Sequence, residues 1–112
     1  MSIQRAKEYL KKYNLEDKVM EFDVSSATVQ EAALALKCEE KEIAKTLSFV
    51  IEDNPILIVV SGDSKIDNSK YKSYFHVKAK MIAFDKVEKM IGHAVGGVCP
   101  FGVNSNVTIY LD

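Results

Sequence analysis

The sequence predicts a single α+β domain, on three observations. Amphipathic segments that begin with helix-capping residues alternate with strand-like segments. Two apolar strands are separated by a turn sequence, as in a hairpin. The length, 112 residues at 47% hydrophobic, fills one core, whereas two halves would each be marginal.

The elements follow in order. Ile3, Ala6, Leu10 and Tyr13 share one helical face, with Lys7, Glu8, Lys11 and Lys12 mostly opposite; Ser2 is the expected N-cap and Asn14 the stop. Residues 18–22 alternate as a short strand. Thr28 with Glu31 three residues on is a capping box, opening a helix whose buried stripe is Val29, Ala32, Ala33 and Leu36. Residues 39–44 read as another short helix, which leaves Lys45 at the entry to a strand. In that strand Leu47, Phe49 and Ile51 alternate with Thr46, Ser48 and Val50. Glu52-Asp53-Asn54-Pro55 is turn chemistry, and residues 56–60 are apolar on both faces, as in the middle of a sheet. Asp67 caps a helix through Tyr74, and residues 81–84 read as strand. Asp85 with Glu88 is a second capping box, over Val87, Met90 and Ile91, with Gly92 as the stop. Residues 107–112 alternate as a last strand.

Composition narrows the function classes. Fifteen Lys+Arg against sixteen Asp+Glu give a net charge of −1, which excludes a generally basic nucleic-acid coat but not a local basic patch. No apolar run approaches the roughly 18 residues of a membrane span. The N-terminus is charged and amphipathic, without the apolar stretch of a secretory signal, so a cytoplasmic location is expected. Two distant cysteines form no disulfide framework and fit a reduced compartment.

Four candidates for chemistry emerge. Lys45 could bind a phosphate or polarise an ester carbonyl, or it is a solvated lysine at a helix C-terminus. Four of the five glycines and one of the two prolines fall between Gly92 and Gly102, a shaped loop. Its backbone N–H groups can approach a ligand closely, or it is simply a turn; GxGxxG and Walker spacings are absent. Cys99 and His93 invite a nucleophile-and-base reading, against that of a small buried thiol. Cys38 reads as inert, and His76 and His93 have no zinc-like spacing to the cysteines, so no metal or cofactor is expected. Finally, residues 64–80 hold Lys65, Lys70, Lys72, Lys78 and Lys80 against Asp67 alone, a local charge of +4 that leaves −5 for the rest. With Tyr71, Tyr74 and Phe75 interleaved, this is a footprint for a phosphate backbone beside an aromatic surface, or else a solvated lysine face.

Taken together, four blocks in order resemble the YbaK/prolyl-tRNA synthetase editing-domain family. They are Thr28-Val29-Gln30-Glu31-Ala32-Ala33, Ile43-Ala44-Lys45-Thr46-Leu47-Ser48-Phe49, Ser61-Gly62-Asp63-Ser64-Lys65-Ile66-Asp67 and the run from Gly92 to Gly102. The resemblance implies a mixed, largely antiparallel sheet flanked by short helices, and an aminoacyl-tRNA deacylase that needs no cofactor. Its substrates would be mischarged aminoacyl-tRNAs, above all Cys- or Ala-tRNA(Pro), with prolyl-tRNA synthetase a possible partner. It further implies Lys45 and Gly96 as catalytic residues, with Phe22, Thr46, Gly97 and Pro100 around the substrate; Gly96 and Pro100 are the ends of the family's G-x-x-x-P loop. Lys65, Lys70 and Lys72 would then meet the tRNA backbone.

By the same resemblance, water attacks the aminoacyl carbonyl with help from the ribose hydroxyl, and no covalent intermediate forms. Relatives usually continue beyond the strand at 107–112, so the expectation is one domain over 1–112, truncated at its C-terminus. An open strand edge there favours a homodimer. Two rival readings are a non-catalytic tRNA-binding module and a Cys99 hydrolase.

Overall fold

The computed structural model describes residues 2–112, with Ser2 by its backbone alone. Its frame is a three-stranded sheet in the order β1-β2-β3. β1 (Ala44–Ile51) and β2 (Asn54–Ser61) run antiparallel, from Ala44↔Ser61 to Ile51↔Asn54. β3 (Thr108–Leu111) lies parallel to β2, from Ile56↔Thr108 to Val59↔Leu111. The sheet is thus mixed and largely antiparallel, with the apolar strand in its middle, as expected.

Glu52 and Asp53 make the hairpin turn, both with left-handed φ (49° and 66°). A two-residue turn of this kind matches the right-handed twist of its strands. Pro55 lies just inside β2, opposite Val50, whose N–H points away from β2 to the Lys80 carbonyl at 2.9 Å. Antiparallel geometry then turns the Pro55 nitrogen away from β1, towards a flank where pairing with β3 begins only at Ile56.

Alternation along β1 and β2 builds two cores. Phe49, Ile56, Ile58 and Val60 pack with Tyr71 of α3 (Asn68–Phe75), joined by Leu47, Ile51 and Phe75. On the other face Leu57 packs with Ile82 and with Val87 and Ile91 of α4 (Val87–Ile91), joined by Val50. Period-two alternation therefore sends Lys45 to the α3 face and Thr46 and Ser48 to the α4 face.

Capping holds the helices as the sequence suggested in two cases. The Thr28 hydroxyl accepts from the Glu31 N–H at 3.1 Å, opening α2 (Val29–Leu36). The Asp67 carboxylate accepts from the Lys70 N–H at 3.1 Å, opening α3. α1 (Ser2–Lys11) is fastened by Arg5, which donates to the Gly92 carbonyl and to Asn104 Oδ1, both at 3.1 Å. Asn104 in turn donates to the carbonyls of Lys89 and Met90, so the C-terminal carbonyls of α4 find their partners here. Asn14, the expected stop, has left-handed φ (59°) just beyond α1. Ser2 is the first helical residue, and its side chain lies outside the described residues.

Several local expectations are corrected. Residues 18–22 form no strand; a single 3₁₀ turn at Glu16–Lys18 leads into extended, mostly exposed chain without a sheet edge to join. Leu36 is 39% exposed, because α2 ends there and Lys37 turns left-handed. Residues 39–44 give only the 3₁₀ turn Glu40–Glu42, so Lys45 is the second residue of β1 and not the end of a helix. Residues 81–84 contribute one bridge, Phe49↔Met81. Asp85 sits inside the 3₁₀ turn Phe84–Lys86, and α4 starts after Lys86 with no side-chain cap.

Candidate active site

The outer edge of β1 is covered over only part of its length. Val50 donates to Lys80 and Ser48 accepts from the Ile82 N–H at 3.3 Å, and there the bonding stops. The stretch from Ala44 to Leu47 is left open, and it forms one wall of a 440 Å³ cavity. That volume lies in the range of small-molecule sites, about 300–1,000 Å³. Thr28 and Val29 at the start of α2 close a second side, Met81, Ile82 and Phe84 a third, and Val95, Gly96 and Val98 of the glycine loop a fourth.

Among the described residues Lys45, at the open β1 edge, is the only ionisable residue lining this cavity; the other polar ones are the hydroxyl residues Ser26, Thr28, Thr46 and Ser48. Lys45 is half-buried and, among the described residues, has no carboxylate within ion-pair reach. Its ammonium is therefore available to a ligand anion. Gly62 sets its place. The Gly62 N–H donates to the Ile43 carbonyl at 2.6 Å, and a Cβ on Gly62 would stand 2.2 Å from the Glu40 carbonyl oxygen. Only glycine lets the end of β2 approach so closely to the turn that feeds into Lys45.

Gly96 has φ +90°, a conformation that favours glycine, and a Cβ placed there would meet the Ala27 methyl at 3.5 Å. Among the described residues its amide has no hydrogen-bond partner, whereas the next amide, Gly97, donates to the Ala94 carbonyl at 2.9 Å. The loop thus brings a backbone amide without an internal partner to the lining that Lys45 shares.

The structure separates the other predicted residues. Thr46 joins Lys45 and Gly96 at the cavity. Gly97 lines a different groove, with Leu10 of α1, Cys99 and Phe101. Pro100 is half-buried in the loop and borders neither space. Phe22 lies 37% exposed in the extended segment, away from the cavity lining. Lys65 and Lys70 line one groove and Lys72 another, with Lys78. The hydroxyls of Ser26 and Ser48 and the apolar wall of Met81, Ile82 and Phe84 escaped sequence reasoning. The strand alternation at 46–48 was the one signal pointing to Ser48.

Cys99 and His93 do not form a working pair. His93 is fully buried, and its Nε2 lies 2.6 Å from the Phe101 carbonyl oxygen. A carbonyl only accepts, so Nε2 carries the proton and cannot take one from the Cys99 thiol, 3.7 Å away. Burial also pushes the Cys99 thiol above its ordinary pKa, partly offset by a hydrogen bond with the Phe101 backbone.

Comparison with known proteins finds relatives over nearly the whole chain. The family model of the aminoacyl-tRNA editing domain matches residues 23–112. An uncharacterized protein of Bacillus subtilis, YwhH, is 44% identical over 113 residues, covering all of this chain and 72% of its own length. A proline–tRNA ligase of Leuconostoc mesenteroides is 28% identical over 86 residues, covering 76% of this chain but 15% of the ligase. A crystal structure described as a proposed trans-editing enzyme for prolyl-tRNA synthetase superposes with TM-score 0.86 at 33% identity, covering 99% of this chain and 71% of that one. No helix among the described residues is long and apolar enough to cross a membrane. On the family model and the YwhH match, the chain belongs to the aminoacyl-tRNA editing domain family.

Proposed function

We propose that this chain hydrolyses the ester between a wrongly attached amino acid and the terminal ribose of tRNA, in trans, with Cys- or Ala-tRNA(Pro) as substrate. The observation that carries the reading is the chemistry of the cavity lining, which offers one cation, four hydroxyls and no carboxylate or imidazole. A site without a protein base suits a reaction in which the substrate supplies its own.

Water attacks the aminoacyl carbonyl carbon, the vicinal ribose hydroxyl relays the proton, and the C–O bond to the ribose breaks, releasing the amino acid. Lys45 holds the terminal phosphate or the oxyanion that develops on the carbonyl, and the Gly96 amide positions the ribose and water. Thr46 borders the same pocket, and Gly97 and Pro100 fix the shape of the loop. Selection follows from pocket size. The apolar wall discriminates single methylenes by only about 1–3 kcal/mol, which is why editing serves as a second, separate step.

The reading places the chain in the cytoplasm, with prolyl-tRNA synthetase as the source of its substrate. It extends to a homodimer through β3, an edge strand carrying the exposed Ile109 and Leu111; light scattering that returns a monomer removes that part. The mechanism is tested with Ala-tRNA(Pro) whose terminal adenosine lacks the vicinal hydroxyl. Turnover should fall by orders of magnitude, and unchanged turnover would mean that the protein supplies the base.

A further inference from the structure

A second groove opens at the same end of the sheet, on the α3 face. It has a volume of 420 Å³ and is lined by Lys65, Lys70, Tyr71, Tyr74 and Tyr110, with Val60 at its floor. Val60 is the cross-strand partner of Lys45, and its neighbour Val59 pairs with Leu111 of β3. The groove therefore starts one strand away from Lys45 and reaches β3. Two strand spacings make about 10 Å, on the order of one to three nucleotides at the ~3.4 Å rise of a stacked strand.

Its surface combines an aromatic platform with cations. Tyr74 is 68% exposed yet held edge-on by Phe75 (4.8 Å, 78°) and Tyr110 (6.0 Å, 83°). A ring fixed by its neighbours and open to solvent loses little freedom when a base stacks on it. Lys65 and Lys70 are exposed and, among the described residues, without ion-pair partners. Two acids also line the groove. Asp67 is engaged as the α3 cap, and Asp112 follows β3, so a phosphate belongs on the α3 side with the lysines. Tyr71 is 4% exposed, and its hydroxyl has no hydrogen-bond partner among the described residues.

We infer that this groove binds an unpaired nucleotide of the same RNA whose aminoacylated end occupies the Lys45 cavity, its base on Tyr74 and its phosphate at Lys65 and Lys70. The inference rests on the deacylase reading and names where the rest of the acceptor strand goes. The protein thereby distinguishes an aminoacylated RNA from a free aminoacyl ester.

The test compares Ala-tRNA(Pro) with 3′-O-alanyl-adenosine, which lacks the upstream nucleotides, in the wild type, Tyr74→Ala, Tyr74→Phe and the double variant Lys65→Ala/Lys70→Ala. Tyr74→Ala should lower kcat/KM on the tRNA about tenfold or more, leave the adenosine ester unchanged, and be rescued by Tyr74→Phe. The double lysine variant should flatten the salt dependence of RNA binding by about 0.7 in log–log slope for each phosphate it no longer neutralises. Equal losses on both substrates, or none on the tRNA, would overturn the inference. If the chain turns over neither ester, the deacylase reading fails first, and binding of a five-nucleotide unlabelled RNA, followed by tyrosine fluorescence, still decides the groove. Weaker binding by Tyr74→Ala supports it, and affinity unchanged in the variant or absent in the wild type overturns it.

Discussion

Gly62→Ala tests whether the close approach of β2 to the Glu40–Glu42 turn places Lys45. An added Cβ would stand 2.2 Å from the Glu40 carbonyl oxygen and 2.6 Å from Val29 Cγ1. Ordinary contact begins at 3.4 Å, so the Glu40 carbonyl must retreat by about 1.2 Å. A valine methyl can rotate aside, but a backbone carbonyl moves only with its segment, and that segment runs through Ile43 directly into Lys45. Overpacking of this kind costs about 1–3 kcal/mol, and backbone involvement puts Gly62→Ala at the upper end. For a domain of this size that lowers Tm by roughly 10 °C. A displacement near 1 Å at the catalytic end should also reduce turnover by about 10²-fold. Thermal unfolding followed by circular dichroism gives the first number, and deacylation well below Tm gives the second. A variant with unchanged Tm and full activity would show that Gly62 does not set the position of Lys45.

Gly96→Ala should behave differently, since its Cβ meets only the Ala27 methyl at an ordinary 3.5 Å. Strain at φ +90° costs about 1–2 kcal/mol, so a modest drop in Tm should accompany a larger loss of kcat; intact kcat would remove the loop from the chemistry. Cys99→Ala should keep turnover within about threefold, because Cys99 lies outside the cavity and His93 has no free base to offer it. The buried thiol also gives a pH prediction. Its folded pKa is raised above the ordinary 9.0. The folded state keeps its proton where the unfolded state has lost it, so this contribution is intact below pH 9 and declines as pH rises towards the folded pKa. Urea titrations of the wild type and Cys99→Ala at pH 7 and pH 10 should show the wild type losing more stability; parallel behaviour would contradict the burial argument.

Much of the frame was legible because it depends on local patterns. The apolar runs at 46–51 and 56–60, joined by Glu52 and Asp53, could pair only as a hairpin, and Thr28 and Asp67 cap as their side chains predict. What was not legible depends on neighbours. The alternation at 18–22 marks a face that could be buried but not an available sheet edge, and residues 81–84 found room for only one bridge beside β1. Asp85 and Glu88 have capping spacing, yet the chain places Asp85 in a 3₁₀ turn before α4 starts. The site divides in the same way. Lys45, Thr46 and Gly96 come together because strand register and a left-handed glycine place them there, while Phe22 and Pro100 stay outside the lining. That the site has no side-chain base was expected from the sequence, whereas which hydroxyls and apolar groups of distant segments share the cavity with Lys45 depends on the fold.

If the reaction runs as proposed, Lys45 supplies the one charge it uses. The direct measurement is deacylation of Ala-tRNA(Pro) and Cys-tRNA(Pro) by the wild type and by Lys45→Ala. Lys45 is half-buried and without an ion-pair partner among the described residues, so Lys45→Ala should fold with a Tm close to that of the wild type. Removing a donor aimed at developing charge costs about 10²–10³ in rate. A folded Lys45→Ala variant should therefore show turnover reduced by that factor. Lys45→Ala hydrolysing either ester at the wild-type rate would take the lysine out of the chemistry, and a wild type that accelerates neither would take the chemistry away from this chain.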